Sequence, residues 1–407
     1  MTQRLGAGRY VDTIDAPDAV TTSVHQLTTH DGASVTGVLR VPPGARAVVT
    51  IMHPRQDVTH HALVPYLLGQ GHAVWTQGSR SPNNDLSLVH EQALLDLAAG
   101  MAFLRDQGFE QVLSLGHSGG ATLIAFYCQQ AGLDPSDRLE KAPSGRPMPL
   151  GDAAMPLPDG VMILAPHPGQ GALLQRVIDP SVVDESDPTS VDPDLDPFDP
   201  RNGFRDAPES SEYAPEFVER YRAAQAARIQ RIDARAAELN AEGQAANQRF
   251  KSHGDPRDRR VALAPRLVVV HRTDADLRNV DLSLDPNRRP YGSLFGRRPD
   301  LTNSGLVGFG RLSTAEAWMS TWSATTTNAD FARCAPGVRV PTLLLEYSGD
   351  QASFPSDTAR FADLLGADDL EVDVVDGTHF GGGLTEDGPS GNELAAARLE
   401  QWIAARL

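Results

Sequence analysis

Ser118 stands in Gly116-His117-Ser118-Gly119-Gly120, directly after the apolar run Val112-Leu113-Ser114-Leu115 and directly before Ala121-Thr122-Leu123-Ile124-Ala125-Phe126-Tyr127. That order is strand, tight turn, helix. A hydroxyl on such a turn sits at a helix N-terminus, where the first N–H groups, starting with that of Gly119, have no intrahelical partner and can hold a developing oxyanion. Glycine at 116 and 120 lets strand and helix approach each other around the serine. Chance alone can produce G-x-S-x-G in a chain with 36 glycines, so the motif takes its weight from the strand-to-helix setting.

A serine hydroxyl is a poor nucleophile until a base takes its proton, and the base needs a third group to fix its tautomer and stabilise its cation. Asp350 follows Thr342-Leu343-Leu344-Leu345-Glu346-Tyr347 through Ser348-Gly349, which puts a carboxylate at the C-terminal end of a strand. His379 follows the next strand, Val372-Asp373-Val374-Val375, in Asp376-Gly377-Thr378-His379-Phe380. Glu346, inside its strand, and Asp376, close to the histidine in sequence, are weaker alternatives for the acid.

With its acid and base in the order Ser, Asp, His, the chain resembles the α/β-hydrolase superfamily, over about 20–168 and 336–407. The resemblance implies an α/β fold: a doubly wound, mostly parallel sheet with a large, mainly helical cap inserted after the sixth strand. It implies Ser118 as nucleophile, His379 as general base and Asp350 as its orienting acid. Some members carry the acid one strand earlier, but here that strand ends in Ala165-Pro166-His167-Pro168-Gly169, without a carboxylate. The oxyanion would be held by Gly119 N–H and by a second donor from the loop after the strand ending at Met52. The family often has His-Gly there; this chain has His53-Pro54-Arg55-Gln56, and proline has no N–H to give. The expected second donor is therefore the backbone of Arg55, with Gln56 next. His53, His117 and His167 all map to the same mouth. Their positions follow from the fold and the serine needs no metal, so no metal site and no cofactor are expected.

These residues need elements to position them. A β-hairpin is expected at 23–28 and 34–40 around His30-Asp31-Gly32, then a strand at 47–52 buried on both faces, a helix over about 60–68, a strand at 73–76 and a long helix near 87–105. After the helix carrying Cys128 comes a loop rich in Pro, Gly and Asp over about 132–160, and another buried strand at 161–165. The chain then changes character. It holds an Asp/Pro tract at 184–199, a charged helical stretch at 215–250 and a short apolar run at 267–270. The sheet pattern resumes at 340–347 and 370–375 and closes with a helix near 392–407. We therefore divide the chain into a core at 1–168, a cap or lid insertion at 169–335, and the rest of the core at 336–407, since an independent domain would not usually return the chain to the same sheet. The acids Asp187, Asp192, Asp194, Asp196 and Asp199, with Asn202, lack the glycine and terminal glutamate of an EF-hand and read as a solvated or capping loop.

Composition narrows the function classes. A chain of 407 residues with 40% hydrophobic content can bury a substantial core, and a net charge of −17 speaks against nucleic acid or an anionic membrane surface as partner. The Arg pairs at 259–260, 288–289 and 297–298 read as solvated patches. The start, Met1-Thr2-Gln3-Arg4-Leu5-Gly6, has no apolar leader core, and no run approaches the roughly 18 residues of a membrane span, so a cytoplasmic protein is expected. Two cysteines, Cys128 and Cys334, read as buried free thiols. The expected partner is a small-molecule substrate, with a homo-oligomer left open.

A serine in place of an aspartate on the turn disfavours the alkyl-enzyme chemistry of epoxide hydrolases and haloalkane dehalogenases and leaves acyl transfer to water. Ester, thioester, lactone and amide substrates share those steps, as does cleavage of a C–C bond beside a ketone. A cap of this size predicts an enclosed pocket, with Phe198, Tyr213, Phe217, Tyr221, Trp318 and Trp322 as candidate apolar walls and His53, His117 and His167 at its mouth. The favoured expectation is a carboxylic ester hydrolase for a bulky or hydrophobic small molecule. A C–C bond hydrolase, or a thioesterase or lactonase, is the rival. A non-catalytic, hydrolase-like binding protein is a further alternative, against which the presence of Ser118, Asp350 and His379 argues.

Overall fold

The computed structural model describes residues 16–407, so the residues at 1–6 examined for a leader lie outside the described part. Eight strands build the main sheet. They are β1 (Thr21–Thr28), β2 (Ser34–Val41), β3 (Ala47–Met52), β4 (Ala73–Gln77), β5 (Gln111–His117), β6 (Gly160–Leu164) and, after a two-stranded ribbon of β7 (Leu267–Val269) and β8 (Leu312–Thr314), β9 (Thr342–Tyr347) and β10 (Leu370–Val375). Their order across the sheet is β1-β2-β4-β3-β5-β6-β9-β10. β2 is antiparallel to both β1 and β4, and every other pairing is parallel. The hairpin joining β1 and β2 turns at Gly32, whose φ of +83° is open to glycine.

The inner parallel strands are mostly apolar because both of their faces are covered, whereas the edge strand β10 is largely exposed. All residues of β3, β4, β6 and β9 are buried. On one face, Leu94, Leu97 and Met101 of helix α2 (His90–Asp106) and Leu123 and Phe126 of α3 (Gly119–Ala131) pack on the sheet. On the other face lie Leu67 and Leu68 of α1 (Val64–Gly69), with Leu399, Trp402 and Ile403 of the last helix, Gly391–Ala404. The chain runs from β3 outward to β4 and then returns to place β5 on the opposite side of β3. That reversal opens a crevice beyond the C-terminal ends of β3 and β5, at Met52 and His117.

Two helices start later than periodicity suggests. The one expected over 60–68 begins at Val64, with Pro65 in its first turn, where a missing N–H leaves no orphan donor. The one expected from 87 begins at His90, because Asp85–Ser87 winds as a separate 3-10 turn capped by the Asn84 side chain. After Leu164 the chain leaves the sheet and rejoins it at Thr342. In between lie helix α4 (Gln170–Val177), the 39-residue helix α5 (Pro215–His253) and the short ribbon. This stretch has apolar clusters of its own, one around Leu174, Ile229, Ile232, Trp318 and Trp322, the other around Tyr213, Phe217, Tyr221 and Leu277. In the Asp/Pro tract, Asp184, Asp187, Asp192, Asp196 and Asp199 each accept the N–H two residues further on, the local turn chemistry of aspartate. Cys128 and Cys334 are free and buried, and burial pushes both thiols up to about 12.

Candidate active site

β5 delivers Ser118 and α3 leaves from it. Ser118 is the N-cap of α3 with φ +57° and ψ −121°, a conformation that side chains adopt at a cost of about 1–3 kcal/mol, held here by the packing of strand against helix. That packing needs the two flanking glycines. A Cβ on Gly116 would lie 2.6 Å from Ala121 Cα, and one on Gly120 would lie 2.7 Å from the Met52 carbonyl oxygen.

The serine faces a histidine fixed from behind. Ser118 Oγ is 2.9 Å from His379 Nε2, and His379 Nδ1 is 2.8 Å from each carboxylate oxygen of Asp350. A carboxylate at Nδ1 places the ring proton there and leaves the Nε2 lone pair toward the hydroxyl. Asp350 is fully buried, and its Oδ1 also accepts the N–H groups of Ala352 and Ser353 at 2.7 and 2.9 Å. His379 is held at its backbone as well. Its carbonyl accepts His117 Nε2–H at 2.8 Å, so His117 Nδ1 is an acceptor, and His61 Nε2 donates to it at 3.0 Å. The N–H of Leu63 completes the series at His61 Nδ1, 3.3 Å away. Asp376 turns away to Ser348 and Arg288, and Glu346, whose pKa burial raises, makes no hydrogen bond to His379.

Arg55 does not supply a free backbone donor. Its N–H and that of Gln56 both point at His53 Nδ1, at 3.1 Å each, because the ring folds back over the turn that Pro54 starts. The Arg55 guanidinium pairs with Asp85 at 2.5 and 2.7 Å and lies 4.7 Å from the centre of the Trp322 ring. Beneath the turn, His167 Nδ1 accepts the Gly169 N–H at 3.0 Å. Burial, then the nearby His379 and Arg55, pull the pKa of His167 well below that of a free imidazole. Burial and Arg55 likewise bring His90 down to about 3.

Ser118 opens into a cavity of about 680 Å³ lined by Met52, His53, Val58, His60, His61, Tyr66, His117, Phe380 and Asn392, among others. None of its lining residues comes from 169–335, where apolar walls were expected; the insertion approaches the site at Gln170, which adjoins Gly119. Trp318 and Trp322 are fully buried in the insertion's own cluster, where indoles gain more from Leu174 and Ile229 than from a wet cavity. Phe198, Tyr213, Phe217 and Tyr221 pack in the second cluster of that region. His53 and His117 do line the cavity, whereas His167 adjoins Gly119 from below without lining it. Sequence reasoning missed His61 and Phe380, although both lie in loops that follow a strand end already assigned to the site, which is the signal that would have found them.

No family model matches the chain, and no curated protein matches it. Solved structures with a similar course include the esterase Pf2001 of Pyrococcus furiosus, 11% identical over 98% of this chain and 99% of that chain, with a TM-score of 0.43. The α/β hydrolase GrgF from Penicillium sp. sh18 is 12% identical over 94% and 98%, with a TM-score of 0.49. Brefeldin A esterase, a bacterial homologue of human hormone-sensitive lipase, is 13% identical over 98% of this chain and 80% of that chain, with a TM-score of 0.48.

Proposed function

We propose that the chain is an α/β-hydrolase-type serine hydrolase that cleaves a carboxylic ester of a bulky or hydrophobic small molecule through an acyl-enzyme on Ser118. The observation that carries this reading is the hydrogen-bonded series Asp350, His379, Ser118 at the mouth of the cavity. Ser118 Oγ attacks the carbonyl carbon while its proton passes to His379 Nε2, and the carbonyl electron pair moves onto the oxygen. Gly119 N–H faces that oxygen at the start of α3. Asp350 holds the imidazole in place and stabilises its cation. The tetrahedral adduct collapses, the C–O bond to the alcohol breaks, and the alcohol leaves with the proton from His379. Water then attacks the acyl-enzyme, gives its proton to His379, and Ser118 leaves with that proton restored.

The cavity's size falls within the roughly 300–1,000 Å³ range of small-molecule sites. Its apolar contacts from Val58, Tyr66 and Phe380 suit a hydrophobic acyl or alcohol group, and the surrounding histidines and Asn392 suit a polar substituent on it. Labelling with a fluorophosphonate probe tests the mechanism, and a panel of p-nitrophenyl esters of rising chain length tests the substrate class. Wild type is labelled at neutral pH, Ser118→Ala is not, and Asp350→Asn lowers kcat by about 10⁴-fold. A folded wild-type protein that takes no probe and cleaves no ester overturns the reading. Cleavage of C–C bonds beside ketones with inert aryl esters replaces the ester by that substrate.

A further inference from the structure

A single N–H is a poor oxyanion hole, and a second preorganised donor is worth about 10²–10³ in rate. The loop after β3 is the place for it, yet its backbone is committed elsewhere. Pro54 has no N–H, and the N–H groups of Arg55 and Gln56 both go to His53 Nδ1. This arrangement fixes the ring. An Nδ1 that accepts two N–H groups carries no proton, so the proton is on Nε2. That nitrogen lies close to Gly119: a Cβ built there would be 2.8 Å from His53 Nε2.

We infer that the second oxyanion donor is the Nε2–H of His53, a side chain in the role expected of the backbone. The inference rests on the serine-hydrolase reading above. A Cβ lies about 2.5 Å from the nitrogen of its own residue, so His53 Nε2 is at most about 5.3 Å from Gly119 N. Two donors that each reach an oxygen at about 2.9 Å can share it at any separation up to about 5.8 Å. The pair therefore can hold one oxygen between them, beside Ser118.

Two other nitrogens reach the same space. The same Cβ would lie 2.5 Å from Gln170 Nε2 and 3.0 Å from His167 Nε2, and the Gly169 N–H at His167 Nδ1 makes that Nε2 a donor too. His53 is singled out because it lines the cavity that contains Ser118, whereas His167 and Gln170 do not. Gln170 and His167 are buried, and the Gln170 amide lies beside the His90 ring. Gly119 is the residue that admits all three.

The test compares His53→Leu, which removes the donor, with His53→Gln, which keeps an N–H at similar reach. In His53→Leu, kcat falls about 10²–10³-fold with KM within about threefold, and affinity for a boronic acid that forms a tetrahedral adduct on Ser118 falls by a similar factor. His53→Gln recovers kcat to within about tenfold of wild type, and the pH midpoint of kcat/KM stays in place in both, because His379 is still the base. A folded His53→Leu with kcat within about threefold of wild type overturns the inference. Because either variant can fail to fold, nitrogen-15 spectra of histidine-labelled wild type in the boronate adduct supply a second measurement. They report His53 as the Nε2–H tautomer, and an Nδ1–H tautomer overturns the inference. Wild-type protein that takes no fluorophosphonate indicates failure of the serine-hydrolase reading itself, whereas labelling with an Nδ1–H His53 indicates failure of this inference alone.

Discussion

Gly119 and Gly120 are neighbours in sequence with opposite jobs, and substitution separates them. An alanine methyl at 119 would meet three buried side chains, at 2.5 Å from Gln170, 2.8 Å from His53 and 3.0 Å from His167, which as side chains yield at a smaller cost than backbone. The fold survives that, but the donors leave their places, and displacing catalytic groups by about 1 Å costs on the order of 10²-fold in rate. At 120 the obstacle is the Met52 carbonyl, 2.7 Å away in the middle of the sheet crevice, and backbone cannot swing aside. Gly119→Ala is thus expected to lower kcat about 10²-fold with little change in urea midpoint, and Gly120→Ala to lower stability by about 1–3 kcal/mol. Ester kinetics beside urea titrations check the pair, and a fully active Gly119→Ala would count against the donor cluster. That Ser118, Asp350 and His379 meet was legible in the sequence because each lies at or just beyond a strand end, which apolar runs mark. The second donor was not, because whether Arg55 N–H faces a substrate or the ring of His53 depends on side-chain torsions that leave no periodic trace.

Strands announce themselves when both faces are covered, which is why β3, β6 and β9 could be read from largely apolar runs. The insertion was harder to read, since its aromatic residues looked equally suited to walling a pocket or filling a core. The core explanation prevails because α5 is mostly polar along its 39 residues and buries only a narrow set, including Phe217, Tyr221, Ile229 and Ile232. Those few apolar contacts leave a large part to polar anchors. Arg228 is the clearest of them. It is fully buried in α5, bonds Glu185 at 2.6 and 2.8 Å and the carbonyls of Asp179 and His271 at 2.5 and 2.9 Å, and so ties the helix to the chain on both sides. Arg228→Ala leaves those acceptors unanswered and is expected to destabilise the protein by about 2–4 kcal/mol, with Glu185 partly exposed and hence recovering some hydration. Because no residue of the insertion lines the Ser118 cavity, fluorophosphonate labelling of the folded variant should keep a rate within about threefold of wild type. A labelling rate that collapses while the protein stays folded would mean that the insertion governs access to the serine.

The molecule as a whole carries −17 charges by formal count, and no helix among the described residues is long and apolar enough to cross a membrane. Its response to acid turns on what it buries near the site. His90 is held neutral: Thr321 gives its hydroxyl proton to the Leu88 carbonyl and so accepts His90 Nδ1–H, while burial and Arg55 oppose a second proton, against weaker support for it from Gln170 and Asp85. His167 is held neutral by burial, His379 and Arg55. For both the folded pKa lies below the unfolded value near 6.5, so the unfolded chain binds more protons below that pH. Their stabilisation is therefore complete above pH 6.5 and is lost as pH falls toward the folded pKa, which for His90 is about 3. Asp274 has the opposite sign. Burial raises it to about 6, so the folded state takes up its proton first and gains stability between pH 6 and the ordinary carboxylate range, offsetting part of the loss. Urea unfolding at pH 7.5 and 5 measures the balance. Wild type is expected to lose stability on acidification. His90→Gln should lose about 2 kcal/mol less, that being the share of one imidazole shifted from 6.5 to about 3, and Asp274→Asn should lose more than wild type because its offset is gone. Equal pH dependence in wild type and His90→Gln would mean that His90 is protonated in the folded protein, which its buried bond to Thr321 and its proximity to Arg55 both oppose.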